Sequence, residues 1–580
     1  MMKQTILVLL LSMSSGFTFA QDGSEKIILK AIRDEIDRNM NELQLEDHEK
    51  PFFISYAVTD MKQININAML GGVFNSSLDS ARGWSTRVMV GGYHTNDENY
   101  YDAALSINNG ANPNSRIPID DNYEGIRRSL WLSTNNIYKS AAKLYKSKNE
   151  MLSELELDSL PLGDFSREAI VKKYDYASSG MPDKNKIEAQ IAELSSLFLN
   201  APSPIRPSVG FHYVKGDYYF LSSEGMEIVI PIELGLLSTQ MQLLDEDQNF
   251  LLEQYNAIVQ VDEGISDFEQ IKGDIQKFIH LVDTKSKTAV FEDLYFGPIL
   301  IEGELTIDFF MSNLMGGNNQ TIVARRSSLS RETEEITKGS ISDLEKEIKR
   351  DPRRIAKPNL SVYEIPHLKN LNGIELMGHF SMDAEGIVPP DTLKLIEKGK
   401  LLTQLNGRTP SVLAPKSNGH KRLNVGYGMN AYGAIAPGVL SINWANPVNK
   451  SKLKKDLINE GSEMQLEYVL RVAPVNFQAG SSSLYKAYKV NINTGEETEV
   501  RINNINFTSS NSLMRIAGMS DQTLISNEMY GSGGYGASGV PISIILPDAM
   551  LLDGFEHDNS RNGGYNYSRY SPSLPSPLEK

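Results

Sequence analysis

Eight histidines are the first place to look for metal or acid–base chemistry in this chain: His48, His94, His212, His280, His367, His379, His420 and His557. No two are close enough in sequence to share one turn of a helix, so neither His-x-x-x-His nor His-Glu-x-x-His exists. A zinc site assembled from distant histidines stays open. His379 and His420, which flank the turns Asp383-Ala384-Glu385-Gly386 and Ser417-Asn418, are the best-placed pair for it. There is no cysteine. That removes disulfides, thiol nucleophiles and thiolate metal ligands together. The serines in Gly531-Ser532-Gly533 and Gly536-Ala537-Ser538-Gly539 precede a strand, whereas a nucleophile elbow needs strand, turn and helix. They read as a loop that lets two backbones approach closely. No phosphate-binding or dinucleotide-binding glycine loop is present.

The elements that would position such groups follow from periodicity. Ile28, Ile32, Ile36 and Met40 predict a helix over 25–43. Pro51 breaks it. Phe52 to Val58 predicts a strand. Ile64, Ile66 and Ala68 alternate with Asn65 and Asn67 and predict a second; Thr86 to Val90 predicts a third, after a turn at Gly71-Gly72. Helices are expected over 122–150, where Ile126, Leu130, Ile137, Ala141 and Leu144 share a face, and over 184–199. From Ser208 short strands are expected at Gly210 to Val214, Tyr218 to Ser222 and Met226 to Ile232, separated by turns at Lys215-Gly216-Asp217 and Glu224-Gly225. A helix follows near 266–280. After Phe291 strands and turns dominate, with one charged helix at 341–350 that ends in the basic cluster Lys349, Arg350, Arg353 and Arg354, read as a solvated helix end. No repeat of solenoid type is seen.

The chain has 580 residues, 40% hydrophobic and 22% charged, so most of it can bury a core. Its formal charge of −16 repels phosphate backbones and argues against a general nucleic-acid grip. Lys3, the apolar run Ile6 to Leu11 and Thr18-Phe19-Ala20 read as a secretory leader, cleaved to leave Gln21 first. The run is too short to span a bilayer, and no later stretch is long enough. The expected location is therefore outside the cytoplasm, periplasmic first and secreted second. From Asp558 the Ser, Pro, Gly, Asn and Tyr composition reads as a mobile tail.

Four segments in order carry a resemblance. They are Tyr219-Phe220-Leu221-Ser222-Ser223-Glu224-Gly225; Gly297-Pro298-Ile299-Leu300-Ile301-Glu302-Gly303; Gly378 to Gly399 with Asp383-Ala384-Glu385-Gly386 and Leu395-Ile396-Glu397-Lys398-Gly399, running on to Ser417-Asn418-Gly419-His420; and Gly531 to Pro547. Each alone is a glycine turn. Together the chain resembles the TldD/PmbA (modulator of DNA gyrase) metallopeptidase-related family, well over 210–556 and more weakly over 25–150.

The resemblance implies an α+β fold: a leader at 1–20, an N-terminal α/β region at 21–285 with a hairpin-rich second half, a β-rich C-terminal domain at 286–557, barrel-like or sandwiched, and the tail at 558–580. It implies that an active member carries His-Glu-x-x-x-His on a helix, with zinc lowering the pKa of its water and the glutamate taking the proton. At the matching place this chain reads Ile301-Glu302-Gly303-Glu304-Leu305-Thr306. Only Glu302 matches, so no zinc and no other cofactor is expected. Glu302 reads either as a helix-start carboxylate favoured by the dipole or as a residual metal-free acid–base group. If Glu302 and Glu304 lie on one helix, two apart, they point to different sides and do not share a cation. The resemblance implies a homo- or hetero-dimer with a zinc-bearing TldD-like paralogue and an extended peptide substrate. Three functions stand: a non-zinc subunit or inactivated homologue in a peptidase complex; an active metallopeptidase with a rebuilt site; and a non-catalytic peptide-binding scaffold.

Overall fold

The structure, a computed structural model, describes residues 26–558 except 103–104, 106–116, 157–159, 202–205, 246–249, 317–320, 327, 331–351, 427–430, 432, 503–504, 506, 508–510 and 532–537. The expected leader, the charged helix at 341–350, most of the glycine-rich turn after Gly531 and the tail beyond Asp558 lie outside the described residues.

The alternation of Ile64, Ile66 and Ala68 does not start a new strand. It continues the strand that begins at Pro51, so the two expected strands are one, β1 (Pro51–Met69). The turn at Gly71-Gly72 reverses the chain into β2 (Gly72–Val90), which pairs antiparallel with β1 along its whole length and contains the expected strand at Thr86 to Val90 as its end. A second merger occurs at β3 (Ser208–Ser222). Lys215-Gly216-Asp217, expected as a turn, is mid-strand and pairs with Asp60, Met61 and Lys62 of β1. Glycine is needed there for close approach: a Cβ on residue 216 would lie 2.1 Å from the Asp60 carbonyl oxygen. The Glu224-Gly225 turn stands as expected and leads into β4 (Glu227–Leu244), followed by β5 (Phe250–Val259).

These five strands form one antiparallel sheet in the order β2-β1-β3-β4-β5, extended by Lys172–Tyr174 on β4 and by Ser481–Ser482 on β5. The long helices of this half, among the described residues, lie on one face. Helices α1 (Ile27–Glu42) and α2 (Tyr123–Glu154) pack Ile28, Ile32, Leu130 and Tyr138 against Ile54, Tyr56 and Val58. Helices α3 (Lys184–Ser196) and α4 (Phe268–Lys287) pack Ile187, Ile191, Ile275 and Phe278 against Ile64, Ile66 and Leu237. The opposite face, with Ala57, Met61, Val214, Tyr218 and Leu234, meets Ala384, Val425 and Met529 from later in the chain.

The later part is built from two sheets over one core. The first has the order β12-β11-β10-β6-β16-β13: β6 (Tyr295–Glu302), β10 (Tyr468–Pro474), β11 (Tyr485–Asn491), β12 (Glu497–Val500), β13 (Ile516–Met519) and β16 (Ala549–His557). The second has β7 (Leu360–Glu364), β8 (Leu393–Glu397), β9 (Val439–Trp444) and β15 (Ser538–Pro547), with β14 (Thr523–Tyr530) antiparallel on β15. Ile299, Ile301, Leu470 and Met550 from the first sheet share a core with Leu360, Leu395, Leu440 and Ile544 from the second, and helix α5 (Glu304–Leu314) adds Phe309, Phe310 and Leu314 to it. This is a sandwich whose core α5 enters with one face, while Asp308 on another face is exposed. Helix α6 (Lys450–Glu463) lies on the outer face of the first sheet through Leu453 and Leu457. With antiparallel sheets and helices segregated to one face, the chain is α+β. Among the described residues no helix is long and apolar enough to cross a membrane.

Candidate functional site

The strand-to-helix corner at β6 and α5 is where the sequence points. Ile299, Leu300 and Ile301 are fully enclosed, as a central strand requires. The strand ends at Glu302, and Gly303 turns the chain at φ +68. A Cβ on Gly303 would lie 2.1 Å from Cβ of Pro474, so only glycine fits. Helix α5 starts one residue later at Glu304. The expectation of Glu302 as a helix-start carboxylate is therefore corrected: it is the last strand residue, separated from the helix by the glycine.

Glu302 is buried and engaged. Its Oε1 accepts from Arg471 Nε at 2.6 Å, and Lys450 Nζ stands 3.9 Å from Oε2. Arg471 also donates to Glu497, and Lys450 pairs with Asp548 at 2.6 Å. At the two positions where the resemblance would place zinc-binding histidines stand Ile301 and Thr306. Ile301 is an alkyl group in the sandwich core. Thr306 is enclosed too, and its Oγ1 donates to the Gly303 carbonyl at 2.6 Å. An alkyl chain, a committed hydroxyl and a carboxylate held by two cations do not fit zinc.

The same helix builds a different feature. Glu304 and Asp308 are four apart and share a face of α5. Glu528 reaches them from β14, and Ser526 on the same face of that strand donates to it at 2.5 Å. Burial pushes Glu304 up to about 8, only partly relieved by the Ser482 N–H at 3.3 Å, with Glu528, Asp308 and Asp274 adding repulsion. Burial pushes Glu528 up to about 7 against its bond from Ser526, and Asp308 raises it further. Asp308 keeps solvent access, yet burial lifts it to about 6. Three carboxyls that feel one another's charge, all raised towards neutrality, are a candidate for acid–base chemistry. Nothing in the local sequence pattern joins Glu528 to Glu304; only the approach of β14 to α5 does. Among the described residues no three of His, Asp and Glu gather in a way that could hold a metal ion.

The turn at Asp383 to Gly386 is buried against the first half of the chain. Asp383 Oδ1 accepts from the N–H groups of Glu385 and Ile387 at 2.9 and 3.0 Å, and Oδ2 from that of Lys421 at 3.1 Å. Burial and the neighbouring Glu385 push it up to about 7 despite those bonds. Burial opposes the charge on Glu385 too, but Lys421 at 2.9 Å and Arg87 at 3.3 Å hold it below the usual carboxylate range. Arg87 grips Glu98 with both arms, and Arg408 grips Glu224 at 2.6 and 2.9 Å while lying over the Phe165 ring. Tyr218 on β3 donates to the Ala384 carbonyl at 2.8 Å. These contacts clamp the long antiparallel sheet to the turns of the sandwich.

His379 and His420 serve their own turns. His379 Nδ1 lies 2.9 Å from the Leu376 carbonyl. His420 is enclosed, with Nδ1 2.8 Å from the Asn418 carbonyl, Phe380 edge-on against its ring, and Nε2 3.7 Å from Glu364 Oε1.

No family model matches this chain, and no curated relative matches it. Solved structures do. TldE from Thermococcus kodakarensis is 11% identical, with TM-score 0.49 over 91% of this chain and 99% of that one. A protein described as a candidate modulator of DNA gyrase from Thermotoga maritima is 11% identical, TM-score 0.48, over 87% of this chain and 95% of that one. A second of that description, from Bacteroides thetaiotaomicron, is 12% identical, TM-score 0.48, over 91% and 98%. No residue of this chain receives a role from them.

Proposed function

We propose that this chain is an exported protein of TldD/PmbA type that serves as the non-zinc subunit, or an inactivated homologue, in a peptidase complex that handles extended peptides. The observation that carries the reading is the corner at Gly303. Where the motif resemblance would place ligands, Ile301 is core, Thr306 is bonded to its own helix start, and Glu302 is neutralised by Arg471 and Lys450. A zinc-bearing TldD-like partner would supply the chemistry. Extended peptide would be held by strand addition, and β14, which carries Glu528, pairs only with β15 among the described residues. Export rests on the sequence of the first twenty residues. The test is co-purification from the native source in chelator-free buffer: a zinc-bearing relative should accompany the chain, and cleavage of an unfolded peptide should need both. A chain that cleaves alone, with its own stoichiometric metal, would overturn the reading.

The raised carboxyls favour a second reading, a metal-free hydrolase using Glu304, Asp308 and Glu528. Chelator-resistant cleavage by the isolated chain, lost in Glu304→Gln, would support it; no cleavage by the isolated chain would remove it.

A further inference from the structure

Strand β2 closes one side of the first sheet and, among the described residues, pairs only with β1. Which of its backbone groups face outward follows from β1. The Ile54 N–H donates to Ser223 Oγ at 3.0 Å, and the Ile54 carbonyl accepts from the Ser223 N–H at 2.8 Å, both on the β3 side. Backbone groups alternate along a strand, so the even residues of β1 face β3 and the odd ones face β2. Ile54 stands opposite Val88, and the register holds as far as Asn67 opposite Asn75. The odd residues of β2 therefore bond to β1, and Ser76, Leu78, Ser80, Arg82 and Trp84 turn their N–H and C=O groups outward. Val90 agrees: its N–H points away from β1 and donates to Asp97 Oδ1 at 2.7 Å. Among the described residues, the outward groups of Ser76 to Trp84 have no backbone partner.

A free edge of this length is a template for another strand, and sheets that stay alone guard such edges with lysine, proline or a covering segment. β2 contains neither lysine nor proline. Its pairing with β1 is irregular only near the two ends. Its charged residues are Asp79, Arg82 and Arg87, and both arginines are spent inside the chain. Arg82 pairs with Asp60 at 3.0 Å and Asp121 at 2.9 Å, and Arg87 pairs with Glu98 and Glu385. From Gly72 to Leu78 no residue is charged, and Phe74 and Leu78 are 65% and 50% exposed.

We propose that the β2 edge docks a second copy of this chain: two β2 strands pair antiparallel about a two-fold axis and join the two sheets into one. The row of outward groups selects that occupant. With Ser80 on the axis, Ser76 faces Trp84, Leu78 faces Arg82 and Ser80 faces itself, so every outward donor meets an acceptor. That makes about ten hydrogen bonds, the number a standard protein interface carries. A peptide strand of common length, about five or six residues, would satisfy only part of the row. The same register sets Asp79 opposite Ala81 and Ser77 opposite Gly83, so no like charges meet. It also covers Leu78. Nothing here uses the Gly303 corner, and the test uses the chain alone, so the two readings can fail separately.

The chain has no cysteine, so cross-linking at a chosen residue is unambiguous. One cysteine is placed at each residue from Ser76 to Ala81 in turn, and the full chain is oxidised at micromolar concentration. A residue on the axis meets its own copy at a Cα separation of about 5 Å, within disulfide reach. Disulfide-linked dimer should peak at Ser80→Cys and fall at least fivefold two residues away; an equally sharp peak at a neighbouring residue would shift the register and support the interface. Sedimentation of the unaltered chain should show a dimer. Leu78→Lys puts a guarding charge on the edge. Ser80→Pro removes an outward N–H and leaves the bonds to β1 in place. Each should raise the dimer dissociation constant at least tenfold, while Leu252→Lys, an exposed site on β5, should not. If Ser80→Pro disturbs folding, Leu78→Lys carries the reading. A monomer at tens of micromolar, cross-linking spread evenly over the scanned residues, or a dimer that Leu78→Lys leaves intact would overturn the proposal.

Discussion

Arg471 Nε donates to Glu302 Oε1 at 2.6 Å, joining the end of β6 to the middle of β10. The contact commits the residue that the motif resemblance would make catalytic to a buried ion pair. Arg471→Met would leave a buried carboxylate with only Lys450 at 3.9 Å, at a cost of roughly 2–4 kcal/mol. Glu302→Gln keeps a hydrogen-bond acceptor and should cost about 1 kcal/mol. Urea unfolding measures both. In the complex proposed above, Glu302→Gln should leave peptide cleavage unchanged; a loss of a hundredfold or more would make Glu302 catalytic.

Gly303 is the hinge of the corner. Its φ of +68 and the 2.1 Å approach of Pro474 to a would-be Cβ leave no room for a side chain. Gly303→Ala should lower stability by about 2–4 kcal/mol, from backbone strain and overpacking together. Thermal unfolding reads this directly, and an unchanged melting temperature would mean that the corner relaxes freely.

The raised carboxyls of α5 and β14 predict the sign of a pH dependence. Burial lifts Glu304, Glu528 and Asp308 to about 8, 7 and 6 in the folded chain, above ordinary carboxyls. These three groups therefore hold more protons folded than unfolded between about pH 4 and pH 8. Their contribution to stability is fully present below the unfolded values and is lost as pH rises through the folded ones. Glu304→Gln should remove part of that loss. Its unfolding midpoint should exceed that of the unmodified chain at pH 8.5 and approach it at pH 4.5. A midpoint difference independent of pH would contradict the assignment.

Much of the architecture was legible. The four-residue spacing of Ile28, Ile32 and Ile36 predicts α1, and the shared face of Ile126, Leu130 and Ala141 predicts α2; both form, as Ile27–Glu42 and Tyr123–Glu154. The misreadings have one physical cause. Lys215-Gly216-Asp217 has turn composition, but its glycine answers to a neighbouring strand whose Asp60 carbonyl oxygen would lie 2.1 Å from any Cβ, which sequence does not display. Likewise Glu302-Gly303-Glu304 looks like a helix start, whereas the pairing of β6 with β10 and β16 carries the strand through Glu302. The group of raised carboxyls was not legible at all. Its carboxyls come from α5 and from β14, more than two hundred residues apart, and only long-range packing brings them together.

The most direct test is the zinc content of the chain expressed from Gln21, purified without chelator and measured by elemental analysis alongside its unfolded form. Less than about a tenth of an equivalent is expected, since Ile301, Glu302 and Thr306 offer no ligand set. Close to one equivalent, retained through dialysis and lost on unfolding, would contradict it.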